Sequence, residues 1–165
     1  NYLITKNNMK IIECVPNFSE GRDTELIKEI TDAMESVSSI TLLDVDPGAD
    51  TNRTVVTIVG SPEPVIEAAF LGIKKALELI DMRNHSGAHA RMGATDVCPF
   101  VPISETSMDD CVDYSKQLAK RVGDELNIPV FLYEFSAPTD DRINLANIRR
   151  GEFEGMGDKL QICPS

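Results

Sequence analysis

The chain holds only two histidines, and they lie four residues apart in one segment, His85-Ser86-Gly87-Ala88-His89-Ala90-Arg91-Met92-Gly93-Ala94-Thr95-Asp96. Imidazole, with an unperturbed pKa of roughly 6.5, is the side chain that both takes and gives a proton near neutral pH. Both copies share their segment with an arginine, two glycines and an aspartate, and a loop held between regular elements is where chemistry is usually positioned. Any proton transfer this protein performs is expected here. A metal site is not. Two histidines at i, i+4 suit zinc when they sit on one helix with a third ligand aimed at them, and Gly87 between them argues against a helix.

The loop lies in a strongly acidic chain, with 27 acidic against 16 basic residues and a net charge of −11. That balance excludes a nucleic-acid binder, which needs a basic face for phosphates. An anionic small substrate would need a local basic pocket, and Arg53, Arg83 and Arg91 are the candidates near the histidines. Hydrophobic content of 42% and charged content of 26% over 165 residues describe one ordinary globular domain. No apolar run approaches the roughly 20 residues of a spanning helix. Residues 1–8 lack the apolar core of a signal peptide, so 1–9 reads as an extension with Met9 as a start. Cys14, Cys98, Cys111 and Cys163 are scattered, without a C-x-x-C pair, which predicts buried reduced thiols and a cytoplasmic location rather than a disulfide framework.

The elements that must position the loop follow from periodicity. Residues 10–14 read as a strand ending at Pro16. Leu26, Ile30, Ala33, Met34 and Val37 recur at helical spacing behind Asp23 as N-cap, which predicts a helix over 23–36. Residues 40–46 and 53–60 read as strands, with Pro47-Gly48-Ala49-Asp50 as the break between them. Ser61-Pro62 opens a long helix with an unbroken apolar stripe to Ile80. Residues 96–103 read as a strand despite two prolines. Ser107-x-x-Asp110 resembles a capping box and opens a helix to about Leu126, and 129–133 reads as a last strand. The order β-α-β-β-α-β, with an additional α-β and a helical tail, predicts an α+β fold, a ferredoxin-like two-layer sandwich.

Several runs then match a family. Glu13-Cys14-Val15-Pro16-Asn17-Phe18-Ser19-Glu20-Gly21, Leu42-Leu43-Asp44-Val45-Asp46, Thr51-Asn52-Arg53-Thr54-Val55, Arg91-Met92-Gly93-Ala94, Asp96-Val97-Cys98-Pro99-Phe100 and Ile148-Arg149-Arg150-Gly151-Glu152-Phe153-Glu154 together resemble the formiminotransferase domain of formimidoyltransferase-cyclodeaminase. The resemblance covers about residues 11–161. It implies transfer of the formimidoyl group from N-formimidoyl-L-glutamate to N5 of tetrahydrofolate in histidine degradation, with tetrahydrofolate as co-substrate and no metal. It also implies that residues 10–161 are the N-terminal of two subdomains, with 162–165 as a tail where the family continues into the second. The family pattern, close to His-x-Gly-Glu-His-Pro-Arg-Met-Gly, puts the catalytic histidine at His89. This sequence departs from it at Ala88 and Ala90.

A single imidazole suits that chemistry, as base toward N5 and then acid toward the departing glutamate nitrogen. Asp46 and Asp96 are candidates for the group that orients it, and Asn17, Asn52, Arg53 and Arg91 for substrate binding; Arg53 and Arg91 could equally be structural ion pairs. His85 reads as a cap on the preceding helix. The 17–21 run could line a site or simply start the first helix. Beside the enzyme stand two other readings: a stand-alone half-domain that binds folate or a partner without catalysis, and a module that dimerises through a bare sheet face. The expected partners are folate, formimidoylglutamate and a C-terminal subdomain or second copy, not nucleic acid or a membrane.

Overall fold

Alternation along the chain sets the sheet. In Arg53–Gly60, Thr54, Val56 and Ile58 are buried while Arg53, Val55 and Thr57 are half-exposed, the period of two that turns one face of a strand toward a core. In the computed structural model, which describes residues 9–162, six strand segments form one antiparallel, curled sheet: β1 (Ile11–Cys14), β2 (Asn17–Phe18), β3 (Ile40–Gly48), β4 (Arg53–Gly60), β5 (Thr95–Val97) and β6 (Phe100–Ser104). β4 pairs with both β1 and β2, which therefore lie in one row interrupted at residues 15–16. β5 and β6 form the next row, interrupted at Cys98-Pro99. The rows run β3, β4, β1 with β2, then β6 with β5. Proline explains both interruptions, because it cannot donate to a ladder.

Three long helices, α1 (Thr24–Glu35), α2 (Pro62–Leu79) and α3 (Met108–Leu126), cover one face. Ile12, Cys14, Phe18, Val56 and Ile58 from the sheet meet Ile30 and Met34 of α1, Val65, Ala69 and Ile73 of α2, and Leu118 and Val122 of α3. Short helices α4 (Leu145–Arg149) and α5 (Met156–Ile162) follow. Among the described residues no helix covers the opposite face, and Leu43, Val101 and Ile103 on or beside it are exposed. The sequence predicts β1, α1, β3, β4, α2 and α3 in order; it does not predict β2, and the single strand expected over 96–103 is split into β5 and β6 at Cys98-Pro99. The chain is α+β.

Three further details differ from the expectations. Residues 129–133 are not a strand. Pro129 offers no donor, and Phe131 and Tyr133 turn to cavities beside α3 and β6, so the run owes its apolar character to packing on a helix. The β3–β4 break falls at 49–52 rather than at Pro47, which pairs with Thr54 in β3; β3 is an edge, where a missing N–H costs nothing. Ser61 occupies the N-cap position of α2 without a side-chain cap bond. Cys14, Cys98 and Cys111 are free, the first and last buried, and burial pushes the Cys14 thiol well above its usual range. Residues 1–8, Cys163 and the rest of the expected tail beyond Ile162 lie outside the described residues. No helix among the described residues is long and apolar enough to cross a membrane.

The predicted N-caps of α1 and α3 are present. Asp23 Oδ1 accepts from the amides of Glu25 and Leu26, and Ser107 and Asp110 form a reciprocal capping box on α3. Loss of the Ser107 hydroxyl in Ser107→Ala should cost about 1 kcal/mol in urea unfolding. The Ser107 amide and Lys10 hold the Asp110 carboxyl down at about 2. A depressed carboxyl stabilises the fold above its ordinary 3.8 and loses that contribution as pH falls toward 2. Thermal melts should therefore fall less steeply over that window in Asp110→Asn than in the parent.

Candidate functional site

The tip of the β3–β4 hairpin builds the site. Asn52 takes a left-handed backbone, φ 51°, which asparagine tolerates, and is almost fully buried. Its Oδ1 accepts from the Gly21 amide at 3.0 Å, and its Nδ2 donates to the Ser86 carbonyl at 3.0 Å. Its own carbonyl accepts from His85 Nε2 at 2.9 Å. One side chain thus ties the 17–21 run, the hairpin and the histidine loop together. The Ala88 amide adds a bond to Asp50 O at 3.0 Å. Gly87 lies so close to the Thr51 carbonyl that a Cβ there would overlap it and sit 2.9 Å from Asn52 Cβ. Gly21 is pressed on the other side, where a Cβ would lie 2.5 Å from Arg53 N.

Asn52 therefore anchors the loop, and so does His85. It does not cap α2, which ends at Leu79 with Ile80 as C-cap, and it spends its Nε2–H on the hairpin instead.

His89 is half-buried next to Arg53. Its Nδ1–H donates to the Ala90 carbonyl at 2.8 Å, which leaves Nε2 as the acceptor, and Arg53 Nη1 donates to it. Arg53 is itself held by two residues, Asn17 and Asp96. Its Nε and Nη2 donate to Asn17 Oδ1 at 3.0 and 2.8 Å, and Nη1 lies 2.9 Å from Asp96 Oδ2. The same carboxylate oxygen takes Arg149 Nη2 at 2.5 Å, and the Asp96 side chain is only 2% exposed. Burial, and then the like charge of Arg149, lower the Arg53 guanidinium, while Asp96 opposes them. Two guanidiniums around one carboxylate leave one positive charge in excess, the local basic spot that an acidic chain needs for an anionic ligand.

The other candidates fall elsewhere. Asp46 pairs across β4 Val55 with Asn17, so it lies on the same open sheet face, but it is exposed and makes no bond to His89. Arg91 donates to Glu154 at 2.6 Å and to Met82 O at 2.6 Å and lies over the Phe153 ring, which fastens the helical tail to the loop. Arg83 pairs with its neighbour Asp81 in solvent. In the 17–21 run, Asn17 Oδ1 holds Arg53, while Glu20 Oε1 accepts from the Arg22 and Asp23 amides at the start of α1. Arg149, 53 residues beyond Asp96, gives no local signal of its place and is found only in the folded chain. Among the described residues no group of His, Cys, Asp or Glu could hold a metal ion.

Residues 11–164 match the formiminotransferase domain, N-terminal subdomain. The chain belongs to that family. It is 52% identical over 151 residues to glutamate formimidoyltransferase of Streptococcus pyogenes serotype M1, which covers 92% of this chain and 50% of that protein. Identity to formimidoyltransferase-cyclodeaminase of Dictyostelium discoideum is 50% over 152 residues, 92% of this chain and 28% of the relative. Glutamate formimidoyltransferase of Thermoplasma acidophilum is 49% identical over 146 residues, 88% and 48% of the two chains. The chain thus spans between about a quarter and a half of these relatives' lengths.

Proposed function

We propose that this chain is the N-terminal, histidine-bearing subdomain of a glutamate formimidoyltransferase, which moves the formimidoyl group of N-formimidoyl-L-glutamate to N5 of tetrahydrofolate. The observation that carries the reading is the fixed imidazole: Ala90 holds Nδ1–H, so Nε2 is the atom that can exchange a proton, and it faces the Arg53 guanidinium. N5 attacks the amidine carbon, His89 Nε2 takes the N5 proton, and the tetrahedral adduct breaks its bond to the glutamate nitrogen as the same proton is delivered there.

Arg53 has five N–H donors, two of them spent on Asn17 Oδ1 and two on Asp96 and His89. A substrate carboxylate at Nη1 would take over the donor now on His89 and release Nε2. Arg53 then acts as the gate of the base as well as an anchor for the anion, with Asn17 and Asp96 as its positioning residues. Asn52, His85 and Gly87 keep the loop at the hairpin. Gly87→Ala should push the loop off Thr51 and lower turnover by about 10²-fold, the cost of an ångström-scale misplacement, with a smaller effect on melting temperature.

We take the strand rows, in the order β3, β4, β1, β6, as a ferredoxin-like sandwich over residues 10–161, acting in the cytoplasm. Its bare face, where Val101 and Ile103 are exposed, receives a C-terminal subdomain or a second copy of this one. Mixing the purified chain with a separately expressed C-terminal formiminotransferase subdomain tests this. Formation of 5-formimidoyltetrahydrofolate is the expected result, and binding of folate without transfer would favour the non-catalytic half-domain.

A further inference from the structure

The transfer chemistry uses none of the thiols, yet two of them touch: Cys14 Sγ lies 3.5 Å from Cys98 Sγ. Cys14 ends β1, is fully buried on the side of the sheet that the helices cover, and pairs with Phe100 in the ladder. Cys98 reaches it from the interruption between β5 and β6, where no ladder pair fixes its backbone. The two sulfurs thus meet across neighbouring rows of the sheet. A disulfide needs a separation of roughly 2.05 Å, an approach that side-chain rotation and a shift of the unladdered Cys98 can supply.

The two thiols differ in access. Burial drives the Cys14 thiol well above its usual range, and an enclosed, protonated thiol is a poor nucleophile. Cys98 is half-buried and lines both a cavity of about 800 Å³ between α2, α3 and the C-terminal segment and a smaller one beside Phe131 and Tyr133. Hydrogen peroxide, little larger than water, fits either. We propose that Cys14 and Cys98 form an oxidation site for peroxides, closing to an internal disulfide behind the transfer site. The Cys98 thiolate attacks one peroxide oxygen, the O–O bond breaks, and Cys98 becomes a sulfenic acid while the departing hydroxide takes up the thiol proton as water. Cys14 Sγ then attacks the sulfenic sulfur: the S–S bond forms, the S–O bond breaks, and the hydroxyl leaves with the Cys14 proton as a second water. Two thiols together lose two electrons, and one peroxide is reduced to two waters. A dithiol such as dithiothreitol reverses the bond by exchange.

The bond also reaches the transfer site. Val97, next to Cys98, pairs with Asn17, and Asp96, one residue further back, holds Arg53. Pulling Cys98 toward β1 displaces both supports of that guanidinium. This consequence rests on the function proposed above; the oxidation itself does not.

The test is non-reducing peptide mapping by mass spectrometry after treatment of the purified chain with hydrogen peroxide. The expected product is the Cys14–Cys98 cross-link, with the four free thiols of the denatured chain reduced by two and restored by dithiothreitol. Cys14→Ala should leave Cys98 as a sulfenic acid that dimedone traps, and Cys98→Ala should leave Cys14 unoxidised. Cys111→Ala should cross-link as the parent does, although Cys111 shares the smaller cavity with Cys98. A dominant cross-link to Cys111 or Cys163, retention of all the thiols, or overoxidation to sulfinic acid without a cross-link would overturn the proposal, and the parent's map decides this even where a variant does not fold. With a C-terminal subdomain supplied, the cross-linked chain should transfer at least about 10-fold more slowly and recover with dithiothreitol, since an ångström-scale misplacement carries a cost of that order or more. An unchanged rate would overturn the link to Arg53. Absence of transfer in the reduced chain would count against the proposed function alone, because the map does not depend on it.

Discussion

Replacing His89 with alanine is expected to lower formimidoyl transfer by about 10²–10⁴-fold in kcat, with KM little changed, in the protein completed by its second subdomain. Removing a general acid–base takes away an interaction made in the transition state, not one that holds the ground state. The fold should survive, because His89 bonds only to its neighbour's carbonyl and to Arg53, which keeps Asn17 and Asp96 as partners. The companion variant His85→Ala removes a loop-to-hairpin bond instead, worth about 1 kcal/mol of stability. Steady-state kinetics beside urea unfolding separates the two. A dead His85→Ala with an unchanged melt would move the catalytic role to the first histidine.

The second large effect belongs to Asp96. Asp96→Ala should destabilise the protein by about 3–5 kcal/mol, since it leaves the Arg53 and Arg149 guanidiniums buried together without the carboxylate between them. Asp46→Ala should stay within about 0.5 kcal/mol, because that carboxylate is exposed on the edge strand β3. Chemical unfolding of the pair distinguishes two carboxylates that sequence leaves equivalent. If Asp46→Ala unfolded as readily as Asp96→Ala, the placement of the buried charge cluster would be wrong.

What sequence could show here follows from how far each signal reaches. Asp23, and Ser107 with Asp110, act within one helical turn, so their caps are legible and present. The apolar periods of α1 and α2 report burial directly. Residues 129–133 mislead because an apolar run is consistent with a strand or with an extended segment packed on a helix, and only the neighbours decide. The site is half legible. His89 is marked by its rarity and by the family pattern, and Arg53 by a motif. The Arg149–Asp96–Arg53 chain is assembled across 96 residues of sequence and has no local signature. His85, five residues beyond Ile80, looks like part of a helix end and is in fact bonded to a hairpin 33 residues earlier.

The proton-shuttle role of Nε2 is tested most directly by chemical rescue. Transfer by His89→Ala, completed with the C-terminal subdomain, is measured with and without added imidazole. The expected result is a rate that rises with imidazole and saturates below the parent, while 1-methylimidazole, which also carries an acceptor nitrogen, rescues in proportion to its fit. A His89→Ala protein that transfers at the parent rate, with the parent's pH profile and no response to imidazole, would contradict the account.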